Sequence, residues 1–153
     1  MTIHQLLSPS SPHLNATDSV AVAAQMLLSN RLSAIPVVDE TGRYIGIFSM
    51  NRLLSLLLPK AVLIEGGVSD LSFMSDTLEL LCERMQQHGA MPVGDVVEKN
   101  VRVLYPDTPL LETVLLLYRG ENDIPVVDKV SGQLLGMVVG TDLLTRVCKK
   151  VPA

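Results

Sequence analysis

The sequence predicts a mixed α/β (α+β) fold made of two copies of one small unit packed against each other. Two observations carry this expectation. Ile35-Pro36-Val37-Val38-Asp39 recurs letter for letter as Ile124-Pro125-Val126-Val127-Asp128. With one inserted residue allowed in the turn that follows, Gly42, Gly46, Leu53 and Leu54 then fall on Gly132, Gly136, Leu143 and Leu144, so the repeat is longer than a chance pentapeptide. Around each copy, apolar residues at helical spacing alternate with short, continuous apolar runs, which is the pattern of helices and buried strands.

The elements follow in order. Val20 to Asn30 and Leu110 to Arg119 read as helices. Asp18-Ser19 and Asp107-Thr108-Pro109 serve as their starts, because short polar side chains cap and proline is pre-set for a first turn. Ile35 to Val38 and Ile124 to Val127 are all apolar and rich in β-branched residues, the signature of a strand buried on both faces. Asp39 to Gly42 and Asp128 to Gly132 are polar turns in which glycine supplies a positive φ. Tyr44 to Ser49 and Leu134 to Val139 form the next strands, each with a central glycine that lets something approach its backbone. Arg52 to Leu58 and Asp142 to Cys148 are leucine-bearing helices. Neither α-β-β-α unit buries both its faces alone, so the halves are expected to pack sheet to sheet around one core.

Three segments result: residues 1–58 as the first repeat, 59–95 as a connector and 96–150 as the second repeat. Within the connector, Ser75-Asp76-Thr77 precedes Leu78, Leu80, Leu81 and Met85 at helical spacing, and Gly89 ends the run. This amphipathic helix reads as a connector lying on the core. Asp95 is placed to cap a short turn over Val96-Val97-Glu98.

Composition removes several classes of function. With 48% apolar residues, 18% charged and a net charge of -4, the chain lacks the basic excess that nucleic-acid binding uses, and two Phe, three Tyr and no Trp leave little for stacking bases. The stretch Leu53 to Ile64 is broken by Ser55, Pro59 and Lys60 and is too short to span a bilayer, and Met1 to Gln5 does not read as a signal peptide. Cys82 and Cys148 stand far apart, in keeping with a reducing, cytoplasmic location. His4, His13 and His88 have no partners at ligand spacing, and none of the phosphate-loop, dinucleotide or nucleophile-elbow motifs occurs, so neither a metal site nor an enzyme is expected.

Two apolar-Pro-Val-Val-Asp strands, each followed by a glycine-bearing strand and a leucine-rich helix, resemble tandem cystathionine-beta-synthase (CBS) domains, also called a Bateman module. The resemblance runs from about Leu14 to Val147. It implies a pseudo-twofold pair of repeats that regulates a partner protein, often as a homodimer. It also implies an adenosine-containing ligand such as AMP, ADP, ATP or S-adenosylmethionine in the clefts between repeats. In such sites a Ser/Thr-x-x-Asp signature at the strand-to-helix turn places the hydroxyl near phosphate and the acid on ribose, while residues just before the Pro-Val-Val strand flank adenine. Carried onto this chain, the ligand residues are Ala34, Ile35, Pro36, Ser49 and Arg52 in the first half and Ile124, Pro125, Thr141 and Asp142 in the second.

Both halves depart from the signature. Ser49-Met50-Asn51-Arg52 keeps the hydroxyl but replaces the acid with arginine, which binds phosphate and accepts no ribose hydrogen bond. Val139-Gly140-Thr141-Asp142 keeps the acid and has valine at the hydroxyl position. Ser49, Thr141 and Asp142 also sit where helix caps are wanted with no ligand present, and Arg52 also reads as a solvated side chain. Two functions therefore stand side by side: a nucleotide sensor, with the second half as its ribose site, or a dimerisation or docking module whose nucleotide sites have decayed.

Overall fold

Short polar caps and continuous apolar runs set the order of elements in the computed structural model, which describes residues 2–7, 12–63, 77–121 and 123–149. Strand β1 (Leu14–Asn15) leads into helix α1 (Val20–Asn30), which opens at Ser19, whose Oγ accepts the Val22 N–H at 3.2 Å. Helix α1 closes on Arg31 in the left-handed region (φ 51°, ψ 43°), and the Arg31 N–H donates to the Leu27 carbonyl. Strands β2 (Ala34–Val38) and β3 (Tyr44–Ser49) come next, then α2 (Met50–Leu57), α3 (Lys60–Leu63) and α4 (Leu78–Gly89). The second half supplies α5 (Leu110–Tyr118), β4 (Asp123–Val127), β5 (Leu134–Val139) and α6 (Gly140–Cys148). The repeated α-β-β-α order is thus observed, and Gly42 (φ 86°) and Gly132 (φ 75°) take the positive φ expected of their turns.

β2 is completely buried and runs antiparallel to β3, with Ala34 opposite Ser49; β4 and β5 pair the same way, with Asp123 opposite Val139. This register sets the residue before each Ile-Pro-Val-Val run beside the first turn of the following helix, where the site forms. β1 adds a parallel strand to β2, and in the second half a single parallel bridge from Leu104 to Val126 takes its place. The repeats meet through a reciprocal pair of backbone hydrogen bonds, Tyr44 N–H to Gly132 O at 3.0 Å and Leu134 N–H to Gly42 O at 3.1 Å, whose donors and acceptors are equivalent positions of the repeat. This is the mark of a pseudo-twofold pair.

The expectation of one shared core is corrected. Among the described residues the buried apolar side chains form two clusters, one around Leu14, Val20, Leu27, Ile35, Val37 and Phe48, the other around Leu104, Leu116, Ile124, Val126 and Val138. Each cluster is completed by the segment that precedes the other repeat: Val93, Val96 and Val97 enter the first, and Ile3, 0% exposed, enters the second. Burying one such aliphatic side chain contributes roughly 2 kcal/mol, so this exchange ties the two halves together without a common core.

Smaller expectations also shift. Asp95 is the last residue of a 3-10 turn over Val93–Asp95 rather than the cap of a turn after it. The reason is that Val96 and Val97 are buried in the first cluster, and Glu98 after them bridges to Ile47 of β3. Helix α5 starts at Pro109 with no side-chain cap, while the Thr108 Oγ1 accepts instead from the Tyr105 N–H at 3.0 Å. Ser75 and Asp76 of the expected connector-helix start lie outside the described residues; Thr77 caps α4, its Oγ1 accepting the Leu80 N–H at 3.2 Å. Helix α4 packs on α1 and α2, with Met85 against the first cluster and Arg84 Nη1 donating to the Leu57 carbonyl at 3.1 Å.

Candidate functional site

Two clefts open between the repeats, one at each strand-to-helix turn. The first, about 600 Å³, is lined by Ala34, Ser49, Asn51 and Leu54 from the first half and by Glu98, Arg102, Glu121 and Asp123 from the second. The second, about 860 Å³, is lined by Asn30, Arg31 and Leu32 from the first half and by Leu117, Tyr118, Val139, Gly140, Thr141, Asp142 and Leu143 from the second. Both volumes suit a small organic ligand. Ser33 and Asp123 line both clefts, and the Ser33 hydroxyl donates to Asp123 Oδ2, so one hydrogen bond between repeats forms the partition.

Of the residues expected to bind ligand, Ala34 and Ser49 come together in the first cleft and Thr141 and Asp142 in the second. Ile35, Pro36, Ile124 and Pro125 are buried within β2 and β4 and line neither cleft.

The two helix starts differ in chemistry. At α2, Ser49 Oγ accepts the Arg52 N–H at 3.0 Å and donates to Glu98 Oε1 at 3.0 Å. The Arg52 side chain is half-buried and turns away from the first cleft, its Nε donating to the Val96 carbonyl at 2.6 Å, so it is neither solvated nor aimed at a phosphate there. At α6 the N-cap is Val139, which has no hydroxyl, and no side chain caps the first turn. Thr141 and Asp142 lie inside that first turn and are exposed; neither is the cap that their residue types suggested, because the helix already begins at Gly140. The N–H groups of the α6 start are therefore left for another acceptor, at the end of the helix where the dipole favours an anion.

The electrostatics diverge in the same sense. Three carboxylates, Glu98, Glu121 and Asp123, border the first cleft, with Arg102 alone opposing them and paired to Glu121 at 3.4 Å. The second cleft sets Arg31 against Asp123 and Asp142 and adds the ring of Tyr118, which is 85% exposed. Residue type and repeat position point to Thr141 and Asp142, which line this cleft; Arg31 and Tyr118 line it too and carry no such signal in the sequence. Both come from helix C-terminal ends whose approach to α6 depends on how the repeats pack, although the left-handed cap at Arg31 stands where glycine is the usual choice.

Among the described residues no group of His, Cys, Asp and Glu is arranged to hold a metal ion, and no helix is long and apolar enough to cross a membrane.

The family model of the CBS domain matches residues 3–59 and again 93–149. A CBS domain-containing protein of Dictyostelium discoideum is 28% identical over 148 residues, covering 96% of this chain and 91% of that protein. A carnitine transport ATP-binding protein, OpuCA, of Listeria monocytogenes is 25% identical over 143 residues, 93% of this chain, which spans only 28% of that protein's length. The solved structure of CBSX2 in complex with AMP is similar in fold, with a TM-score of 0.69 at 20% identity over 97% of this chain and 96% of that one.

Proposed function

Because the chain belongs to the CBS domain family, with both repeats present in tandem, we propose that it is a regulatory module that does no chemistry of its own, binds an adenine nucleotide in the second cleft and transmits that occupancy to a partner protein. One observation carries the reading: Asp142, Arg31 and Tyr118 face a single cleft at the uncapped start of α6. The free N–H groups and Arg31 suit a phosphate, the Asp142 carboxylate accepts hydrogen bonds from ribose hydroxyls, and Tyr118 with Leu117 and Leu143 offers an aromatic and aliphatic wall to a purine. The AMP bound by CBSX2 supports AMP as the first ligand to try; ADP, ATP and S-adenosylmethionine follow. Since the cleft draws on both repeats, a ligand that prefers one arrangement of them shifts the pair toward it, and that difference in affinity is the signal. A cytoplasmic homodimer regulating a second protein completes the reading.

The test is thermal unfolding with each nucleotide. At a hundredfold excess over Kd the ligand adds about 2.7 kcal/mol, which raises Tm by about 5–10 °C for a chain of this size. No shift with any of the four at millimolar concentration sinks the reading.

A second reading, a docking or dimerisation module, is favoured by the exposed apolar side chains Leu111 and Leu115 on α5 and Leu144 and Val147 on α6. A strict monomer by light scattering at high concentration would remove its dimerisation form.

A further inference from the structure

We propose that Glu98 is a specificity residue that fills the anion position of the first cleft with a carboxylate of the chain itself, so that this cleft refuses phosphate and each chain binds a single nucleotide. The inference rests on the nucleotide-sensor reading for its ligand and on separate geometry for its substance. Ser49 has one hydroxyl proton, and it goes to Glu98 Oε1 at 3.0 Å, while Ser49 Oγ accepts the Arg52 N–H at 3.0 Å. The proton of that hydroxyl and one of its lone pairs are therefore taken from within the chain at the start of α2.

Glu98 is not a side chain that drifts into the cleft. Its backbone pairs with β3 in both directions, Glu98 N–H to Ile47 O at 2.9 Å and Ile47 N–H to Glu98 O at 3.1 Å. The neighbouring Val96 and Val97 are buried in the first core cluster. Close approach is possible because residue 46 is glycine: a Cβ there would lie 2.7 Å from the Glu98 carbonyl oxygen. The backbone thus delivers the carboxylate to the helix start, where the dipole favours a negative charge.

The two cations that would offset this charge are occupied elsewhere, since Arg52 Nε is spent on the Val96 carbonyl at 2.6 Å and Arg102 on Glu121 at 3.4 Å. A phosphate entering the first cleft would meet Glu98, Glu121 and Asp123, and the side chains of Asn51 and Asn100 that also line it carry no charge to offset theirs; like charges placed together are strongly disfavoured. At the second cleft the position equivalent to Ser49 is Val139, which has no hydroxyl to hold a carboxylate, and no side chain caps the first turn of α6.

The experiment is isothermal titration with AMP of the wild-type chain, Glu98→Gln, and the double variant Glu98→Gln with Asp142→Ala. Glutamine keeps the size and the hydrogen bond to Ser49 and removes the charge, so folding is preserved; a Glu98→Lys chain, checked by thermal unfolding, serves as the second variant. The expected result is one AMP per wild-type chain and two per Glu98→Gln or Glu98→Lys chain, with the double variant retaining the new event alone. If wild type binds none but the Glu98 variants bind one, the sensor reading fails while the exclusion of phosphate by Glu98 stands. Two AMP per wild-type chain, or no added binding event in both Glu98 variants, overturns it.

Discussion

The Ser33 hydroxyl donates to the Asp123 carboxylate, joining the residue before β2 of one repeat to the first residue of β4 in the other, and the pair forms the wall shared by both clefts. The two side chains are 90 residues apart in sequence, so their bond reports how the repeats sit against each other. Ser33→Ala and Asp123→Ala should each lower stability, and urea unfolding of the double-mutant cycle should give a coupling of about 1 kcal/mol. Strictly additive losses would show that the bond contributes nothing to the pairing of the repeats.

Arg31 should trade stability against binding. A residue other than glycine in the left-handed region costs roughly 1 kcal/mol, so Arg31→Gly is expected to unfold at the same or a higher temperature than wild type while AMP affinity falls about tenfold or more with the loss of a charge-assisted contact. Unchanged affinity in that variant would remove Arg31 from the site.

Acid should act on the two turns together. Asp39 Oδ1 accepts from the Thr41 hydroxyl at 2.7 Å, the Thr41 N–H at 2.9 Å and the Arg43 N–H at 3.0 Å, and the Thr41 hydroxyl is the main cause holding its carboxyl below the usual carboxylate range. Asp128 is lowered likewise, chiefly by the Ser131 N–H and then by the Val130 N–H. Depressed folded-state values mean that this stabilisation is complete above the ordinary carboxylate value of 3.8 and is lost as pH falls through the lower folded value. Stability from these turns is thus expected to be flat from pH 7 to 5 and to fall below about 4. Asp39→Asn with Asp128→Asn should flatten the acid limb in a chemical-denaturation series; an unaltered limb contradicts the assignment.

Tyr44 governs the alkaline limb. Its hydroxyl is buried and, among the described residues, has no hydrogen-bond partner; burial first, and the Glu98 charge second, push it up to about 12 from 10.0. The raised value favours the protonated folded state, so its contribution is whole below pH 10 and is lost between 10 and 12. Tyr44→Phe should leave stability at pH 7 unchanged or raise it by up to about 1 kcal/mol, because an unpartnered buried hydroxyl is costly. It should also reduce the loss on going to pH 11.5, and an equal loss in both proteins would refute the account.

Much of this architecture is legible in the chain because it is written locally. The Ile-Pro-Val-Val runs, the glycine turns and Ser19 and Ser49 as caps depend on residues within a few positions of one another, and the strands Tyr44–Ser49 and Leu134–Val139 fall where the repeat puts them. What escaped depends on distant partners. Arg52 reads as a phosphate ligand or a solvated side chain until Val96, 44 residues on, supplies a carbonyl, and Ser49 reads as a cap or a phosphate-side hydroxyl with no sign that Glu98, 49 residues on, accepts its proton. Ile3, one apolar side chain in a short segment, gives no sign that it completes the core of the opposite repeat. Thr141 misleads for a simpler reason: a hydroxyl residue near a helix start looks like a cap, and only the backbone shows that the helix already began at Gly140.

The most direct test of the central claim is isothermal titration of nucleotide-stripped protein with AMP, beside Asp142→Ala. Binding of one AMP per wild-type chain, lost in the variant, is the predicted result and places the site at the start of α6. Heat that survives in Asp142→Ala would contradict the placement of the site, and none with the wild-type chain would contradict the sensor itself and leave the docking module as the better description.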